Sequence, residues 1–501
     1  MSVTGVSANL APLIQSVLDI NKRLTTLQQQ LSSGQKSDTY GGLGAQSGIA
    51  VALNAQLAAL SSYDQTMTSV GTNVSLQQQV LQLVAKTAAT VQASAVQQSS
   101  FTIGGSGQTT VQSSAADALN QMLSALNTQG GNGYLFSGSA LNQPSVDISD
   151  HILNGNGAAA GLRQVISERS QADLGADGLG RLVIPPAAGA TVSVSEDAAG
   201  SPFGLKLAAV SATLTNAVVT GPSGSPAAIG IDLSGGNPNN GDTVTFTLTL
   251  PDGSAQTLQL QATTSATPGA NQFSIGATPA ATAANLQAAL TAGVAQIGST
   301  TLSAASALAA ADNFFDDPPM RVSGAPATAT ALVAGTSANT VFWYTGNSAT
   351  GSIRSSATAR IDPTMSVAYG AQANEQGIRW LVQNVAALAA TSYSTSDPNA
   401  AASYSALSQR VYAAISVPSG VQNITDIEAS LANAQNAMIA AQDQHAQTSN
   451  TLTNMLQSIQ GVDTTEVGAQ ILSLQTILSA SLSTTARLSQ INLLAYLGPV
   501  A

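Results

Sequence analysis

Two histidines and a cluster of aspartates hold most of the chemical potential of this chain. His151 closes the run Asp147-Ile148-Ser149-Asp150-His151, which brings carboxylates and an imidazole close together. One histidine with two aspartates falls short of the usual ligand set of a metal site, and the segment reads as a turn. His445 falls on an apolar heptad position, as a packed core or interface histidine would. Asp312, Asp316 and Asp317 in ADNFFDDPP could in principle pair as acid and base. Pro318 and Pro319 follow at once, so a helix end and turn is the simpler reading. Asn154-Gly155-Asn156-Gly157 with Gly161 misses the G-x-G-x-x-G spacing and follows no strand. Phe342-Trp343-Tyr344 reads as core packing. The chain has no cysteine, hence no disulfide, thiolate nucleophile or zinc–thiolate site. No catalytic constellation, cofactor cradle or metal site emerges, and the expectation is a protein that is not an enzyme.

Periodicity carries more information. Leu13, Val17, Ile20, Leu24, Leu27 and Leu31 fall in steps of 4, 3, 4, 3 and 4. Roughly 400 residues later Leu431, Ala434, Met438, Ala441, His445, Thr448, Leu452, Met455 and Ile459 alternate steps of 3 and 4. A 3.5-residue period keeps one seam toward a partner helix, and the simplest partners are each other. A last helix, after a break at Gly461-Val462-Asp463-Thr464, carries Val467, Ile471, Leu474, Leu478 and Leu482, followed by the apolar tail Leu488 to Leu497. Val70, Val74, Gln77, Leu81, Val84, Ala88 and Val91 form another stripe in the second helix, and Ile378, Leu381, Val382, Val385 and Leu388 another after Glu375.

Between about 141 and 340 glycine, proline and β-branched residues replace Leu and Gln. Val244, Phe246, Leu248 and Leu250 alternate with threonines, Pro251-Asp252-Gly253 makes a turn, and Leu258 and Leu260 alternate with glutamines: a hairpin. Phe273 and Ile275 are read as its continuation. Thr278-Pro279 opens a helix with Leu286, Leu290, Val294 and Ile297 on one face. Both VFWYTGN and ARIDPTMSVAYGA look strand-like. The predicted fold is mainly α, with an inserted α+β, β-rich region and long N- and C-terminal helices paired as an α-helical coiled-coil core.

Charged residues make up 8% of the chain, against about a quarter in ordinary domains. With 44% hydrophobic residues and a net charge of −11, the composition is not that of a disordered chain. It suits a protein whose surface is covered by copies of itself. The excess of 25 acidic over 14 basic residues argues against nucleic acid as a partner. The N-terminus lacks a basic region before an apolar core, because Lys22 and Arg23 come after the apolar residues. It does not read as a cleaved signal peptide. No unbroken apolar run reaches membrane-spanning length, so no membrane insertion is expected.

Three segments resemble the bacterial flagellin family, which includes the filament subunit and the related hook-associated protein 3 of the hook–filament junction. LQQQLSSG (27–34) ends the first heptad helix and leads into a glycine-rich loop. GYLFSGS (133–139) follows the N-terminal helices. GVDTTEVGAQILSLQTILSASLSTTARLSQINLLAYL (461–497) is similar to the family's last helix, with a closing Tyr496-Leu497 pair. The resemblance covers roughly 1–140 and 341–501. The neutral Tyr40-Gly41-Gly42-Leu43-Gly44 departs from the Asp-rich loop usual in filament subunits.

The resemblance implies an extracellular structural subunit of the flagellum, exported through the type III apparatus without a cleaved signal. It implies three domains: 1–40 with 462–501 as a terminal coiled-coil inner core, 41–140 with 341–461 as a helical outer wall with a few strands, and 141–340 as a surface-exposed insertion. The assembly seams would be Leu13, Val17, Ile20, Leu24, Leu27 and Leu31, with Val467, Ile471, Leu474, Leu478, Leu482, Leu488 and Leu497. Implied partners are copies of the chain in a helical tube, hook-associated proteins, an export chaperone and the export gate. A secreted coiled-coil adhesin or fibre is the alternative from another class.

Overall fold

The computed structural model describes residues 4–496 except 98–100, 106, 132, 349 and 350; the side chains of 4–10, 97 and 488–496 also lie outside the description. In chain order the helices are α1 Thr4–Ser33, α2 Ser47–Gln97, α3 Thr110–Leu126, α4 Ser149–Asn154, α5 Leu162–Leu174, α6 Pro279–Ile297, α7 Ser303–Phe314, α8 Gln376–Ala390, α9 Ala400–Ile415, α10 Ile424–Gln460 and α11 Thr464–Tyr496. A small hairpin, β1 Gln129–Gly130 with β2 Gly133–Tyr134, precedes the strands of the insertion. These are β3 Leu182–Val183, β4 Thr191–Glu196, β5 Lys206–Ala212, β6 Val218–Ser223, β7 Ala228–Asp232, β8 Thr243–Thr249, β9 Ala255–Thr263 and β10 Gln272–Ser274. Two short ribbons follow, β11 Met320–Val322 with β12 Leu332–Ala334, and β13 Thr358–Arg360 with β14 Ser366–Ala368. The chain is mainly α with a β-rich middle.

It divides into two compact units, one formed by 1–68, 360–366 and 436–501, the other by 69–359 and 367–435. In the second unit the insertion holds two four-stranded sheets, ordered β3-β4-β7-β6 and β10-β9-β8-β5. Alternation does the work: Val244, Phe246 and Leu248 point inward from β8 opposite Leu260, Leu258 and Gln256 of β9. They share a core with Val192 and Val194 of β4, Ile229 and Ile231 of β7, and Leu286, Leu290 and Val294 of α6. Thr278 caps α6, its hydroxyl accepting from the Ala281 N–H at 3.2 Å, with Pro279 in the first turn. Phe273 continues the hairpin's sheet as β10, the strand beside β9. The loop 264–271 doubles back, so β10 lies parallel to β9.

Elsewhere in this unit α3 packs on α8. Thr109 and Gln112 form a capping box, and the Gln112 side chain donates to the carbonyl of Thr391 at 2.9 Å. The aromatic segment expected as a strand is irregular, touching its neighbours only through isolated bridges such as Val146 to Tyr344. Trp343 turns into the core instead. It is 1% exposed, bonds the Phe315 carbonyl through Nε1 at 3.0 Å, and lies 5.0 Å from the Phe315 ring. The turn expected at His151 is the start of α4, where Asp147 Oδ1 faces His151 Nδ1 at 3.0 Å. Asp316 pairs with Arg379, Asp317 accepts from Ser348 and Asp312 from Gln383, so each of the three aspartates meets a polar partner.

In the first unit α1 pairs with α11, in the segment 462–501 that the resemblance sets beside 1–40, and not with the 431–459 stripe that heptad spacing alone suggested. The α10 stripe also drifts. Leu431, Ala434, Met438, Ala441 and His445 are buried, but Thr448 and Met455 are exposed and Ser449 and Leu456 turn inward in their place. A helix with 3.6 residues per turn slips by about 20° per heptad against a strict 3.5 repeat. The expectation about membrane spans also needs amending. The stretch Tyr40–Val96 holds an 18-residue window of mean hydropathy 1.3, apolar enough by length and composition alone.

Candidate assembly interface

The seam is built from α1 and α11 and from the two chain reversals that set them antiparallel. The first reversal is Gly34, whose φ of 71° is left-handed backbone that a side chain would strain; its N–H closes on the Gln30 carbonyl at 2.8 Å. The second is Gly461 with Asp463. The Asp463 carboxylate accepts from the N–H groups of Thr465 at 2.8 Å and Glu466 at 3.3 Å, capping α11. Those backbone donors hold its carboxyl below the ordinary range. The reversals are laced together: Lys36 N–H donates to the Gln460 carbonyl at 2.6 Å, Val462 N–H to the Gly34 carbonyl at 3.1 Å, and Gln35 bridges Gly461. The end of α1 is thereby pinned to the start of α11.

From that pin the helices run together. Leu13, Val17, Ile20, Leu24 and Leu27 are half-buried on α1. On α11 Val467 and Ile471 are buried, and Leu474 and Leu478 half-buried. Leu31 and Leu482 lie off the paired faces, 42% and 52% exposed. At the first, Gln30 turns in to bond the Lys36 carbonyl at 2.7 Å. At the second, the step from Leu478 to Leu482 breaks the heptad, and Ser481 and Thr485 take the inward positions. Leu488 belongs to α11 but its side chain lies outside the described residues, as does all of Leu497. Further apolar side chains point away from the seam: Ile14 is 52% exposed, Leu18 50%, Leu472 66% and Ile477 49%.

Two long helices thus share one seam and leave apolar residues on their outer faces. Residues 7–140 match the family model of the bacterial flagellin N-terminal helical region. Over that stretch, about a quarter of its length, the chain is similar to the bacterial flagellin family. No curated protein matches it. A flagellin N-terminal helical region supports a structural role of the flagellar filament type.

The pairing of α1 with α11 rather than α10 was hidden from the heptads, because the two stripes carry similar residues. The signal that separates them is the pair of reversals, Gly34 and Gly461-Val462-Asp463, whose backbone groups bond one another.

Proposed function

We propose that this chain is the flagellin-type filament subunit, exported unfolded through the flagellar type III apparatus and ordered at its ends when it joins a growing tube. The observation that carries this reading is the incomplete burial of α1 and α11. A pair with half-buried seams and outward Ile14, Leu18, Leu472 and Ile477 gains its remaining apolar burial only from neighbouring copies. Most of a helix's stability comes from packing of its apolar face, so ordering is coupled to assembly. The low charge helps, since few ions must be desolvated when copies meet.

In this reading 1–40 with 462–501 form the inner core, 41–140 with 341–461 the outer wall, and 141–340 projects outward. Hook-associated proteins, an export chaperone and the export gate are the further partners. Electron microscopy of the purified, concentrated protein tests it. Long tubes of uniform diameter are expected, and limited proteolysis of the dissociated subunit should trim both ends first. Resistance of both ends while the middle is cut would refute the coupling of order to assembly.

The second reading is the junction protein, favoured by the GYLFSGS segment. Its Leu135 and Phe136 are buried, and Gln77 of α2 donates to the Leu135 carbonyl at 3.1 Å, fixing the exit from the helices. Failure to polymerise alone, with binding to hook-associated partners, would select it. Trimeric rods would select a fibre.

A further inference from the structure

One cluster of titratable groups in the first unit takes no part in the α1–α11 seam. His445, on the buried face of α10, is 2% exposed. Its Nδ1 stands 2.8 Å from Oδ1 of Asp64 on α2, and its Nε2 stands 3.6 Å from Oδ2 of Asp362. Asp362 lies in 360–366, the segment joining β13 to β14 and the only internal stretch of chain in a unit otherwise made of the two terminal regions. The Tyr63 ring of α2 sits 6.1 Å from the imidazole, tilted. Arg360 of the same segment is turned onto its own backbone, donating to the carbonyls of Asp362 and Pro363. Asp443, the nearest acid along α10, is exposed. The groups facing the imidazole are therefore Tyr63 and Asp64 from α2, and Asp362 with Arg360 behind it from the linking segment.

Among the described residues Nε2 is buried without a hydrogen-bond partner, and 3.6 Å is too long for such a bond. With Nδ1–H donated to Asp64, a neutral ring presents its Nε2 lone pair to the Asp362 carboxylate, acceptor against acceptor. One added proton changes this. The imidazolium has a donor at each nitrogen and a carboxylate beyond each, on two different segments of chain. Asp362 is suited to the role: the Thr364 backbone N–H, with help from the Thr364 hydroxyl and His445, holds its carboxyl below the ordinary range. It is an anion wherever a histidine titrates.

We propose that His445 is a proton-operated clasp that fastens the 360–366 segment to α2 and α10, closed when the imidazole carries two protons and slack when it carries one. This stands whether or not the assembly reading does. The clasp is closed where the imidazole carries both protons. It opens when the ring loses one of them.

Hydrogen exchange on the full chain tests the clasp. Corrected for intrinsic rates, protection across 360–366 should fall about three- to tenfold between pH 5 and 8. The midpoint should coincide with the His445 titration followed by NMR. The chain has only two histidines, so His151→Gln leaves one signal to follow. Asp362→Asn keeps an acceptor for Thr364 and should flatten the pH response without unfolding the segment; His445→Gln should flatten it as well. A protection profile that does not change with pH, or that falls equally in Asp362→Asn and the parent, overturns the proposal.

Discussion

In the sheet pair of the insertion, Val244, Phe246, Leu248, Leu260, Leu286 and Leu290 meet with none more than 1% exposed. Along α1 the seam from Leu13 to Leu27 is only half-buried, and Ile14 and Leu18 beside it are half exposed. Both regions are patterned by period, one of two residues and one of three and a half. They differ in how many layers their geometry supplies. A strand shows two faces, and in the insertion a second sheet and α6 cover the inner one. A helix paired with one other shows most of its circumference to the outside. The insertion completes its core within one chain, whereas the terminal pair has apolar surface left to cover.

The largest effect that could break this contrast comes from a charge in the helical seam. Ile471→Asp should abolish tube formation, with polymer mass in a sedimentation assay below about a tenth of the parent, because an unpaired carboxylate buried there is costly. Thermal unfolding of the insertion should be unchanged; a shared loss would mean the two regions are not independent. The converse is Phe246→Ala, which leaves a cavity between the sheets and α6. It should cost about 3–5 kcal/mol in denaturant unfolding with the terminal helices untouched. Smaller still, Thr278→Ala removes the cap of α6 and should cost about 1 kcal/mol by the same measurement.

The smallest effect concerns the cap of α11. The Asp463 carboxyl is held below its ordinary value by the Thr465 and Glu466 N–H groups. Its stabilisation is present above the unfolded value and lost as pH falls through the folded one, below about pH 4. Circular dichroism of assembled tubes should show helix lost in acid by the parent, with Asp463→Asn changing less across the same range.

Much of this fold was legible where a local rule and the tertiary structure agree. The β8–β9 hairpin, the Thr278-Pro279 start of α6 and the Gly34 end of α1 each follow from a few neighbouring residues. Failures came where the deciding partner is remote. Trp343 read correctly as core packing, but the strand expected around it does not form, because the Phe315 carbonyl and ring hold the indole inward. His445 read correctly as a packed histidine, yet nothing near it in sequence announces Asp64, 381 residues away. Among the candidate seam residues, Leu31 and Leu482 followed the spacing of leucines rather than the rotation of the helix. At the second of these, small Ser481 and Thr485 keep the face that the leucine pattern suggested.

The β-rich insertion leaves and rejoins its base at neighbouring points. Ala160 N–H donates to the Asn339 carbonyl at 2.9 Å, and Val341 N–H returns a bond to the Ala160 carbonyl at 3.0 Å. A loop whose two feet stand side by side can lengthen or shorten without moving either foot. The sheets beyond those feet can therefore change in length without shifting the points where the chain leaves and returns, while α7 stays packed on α8 and α9.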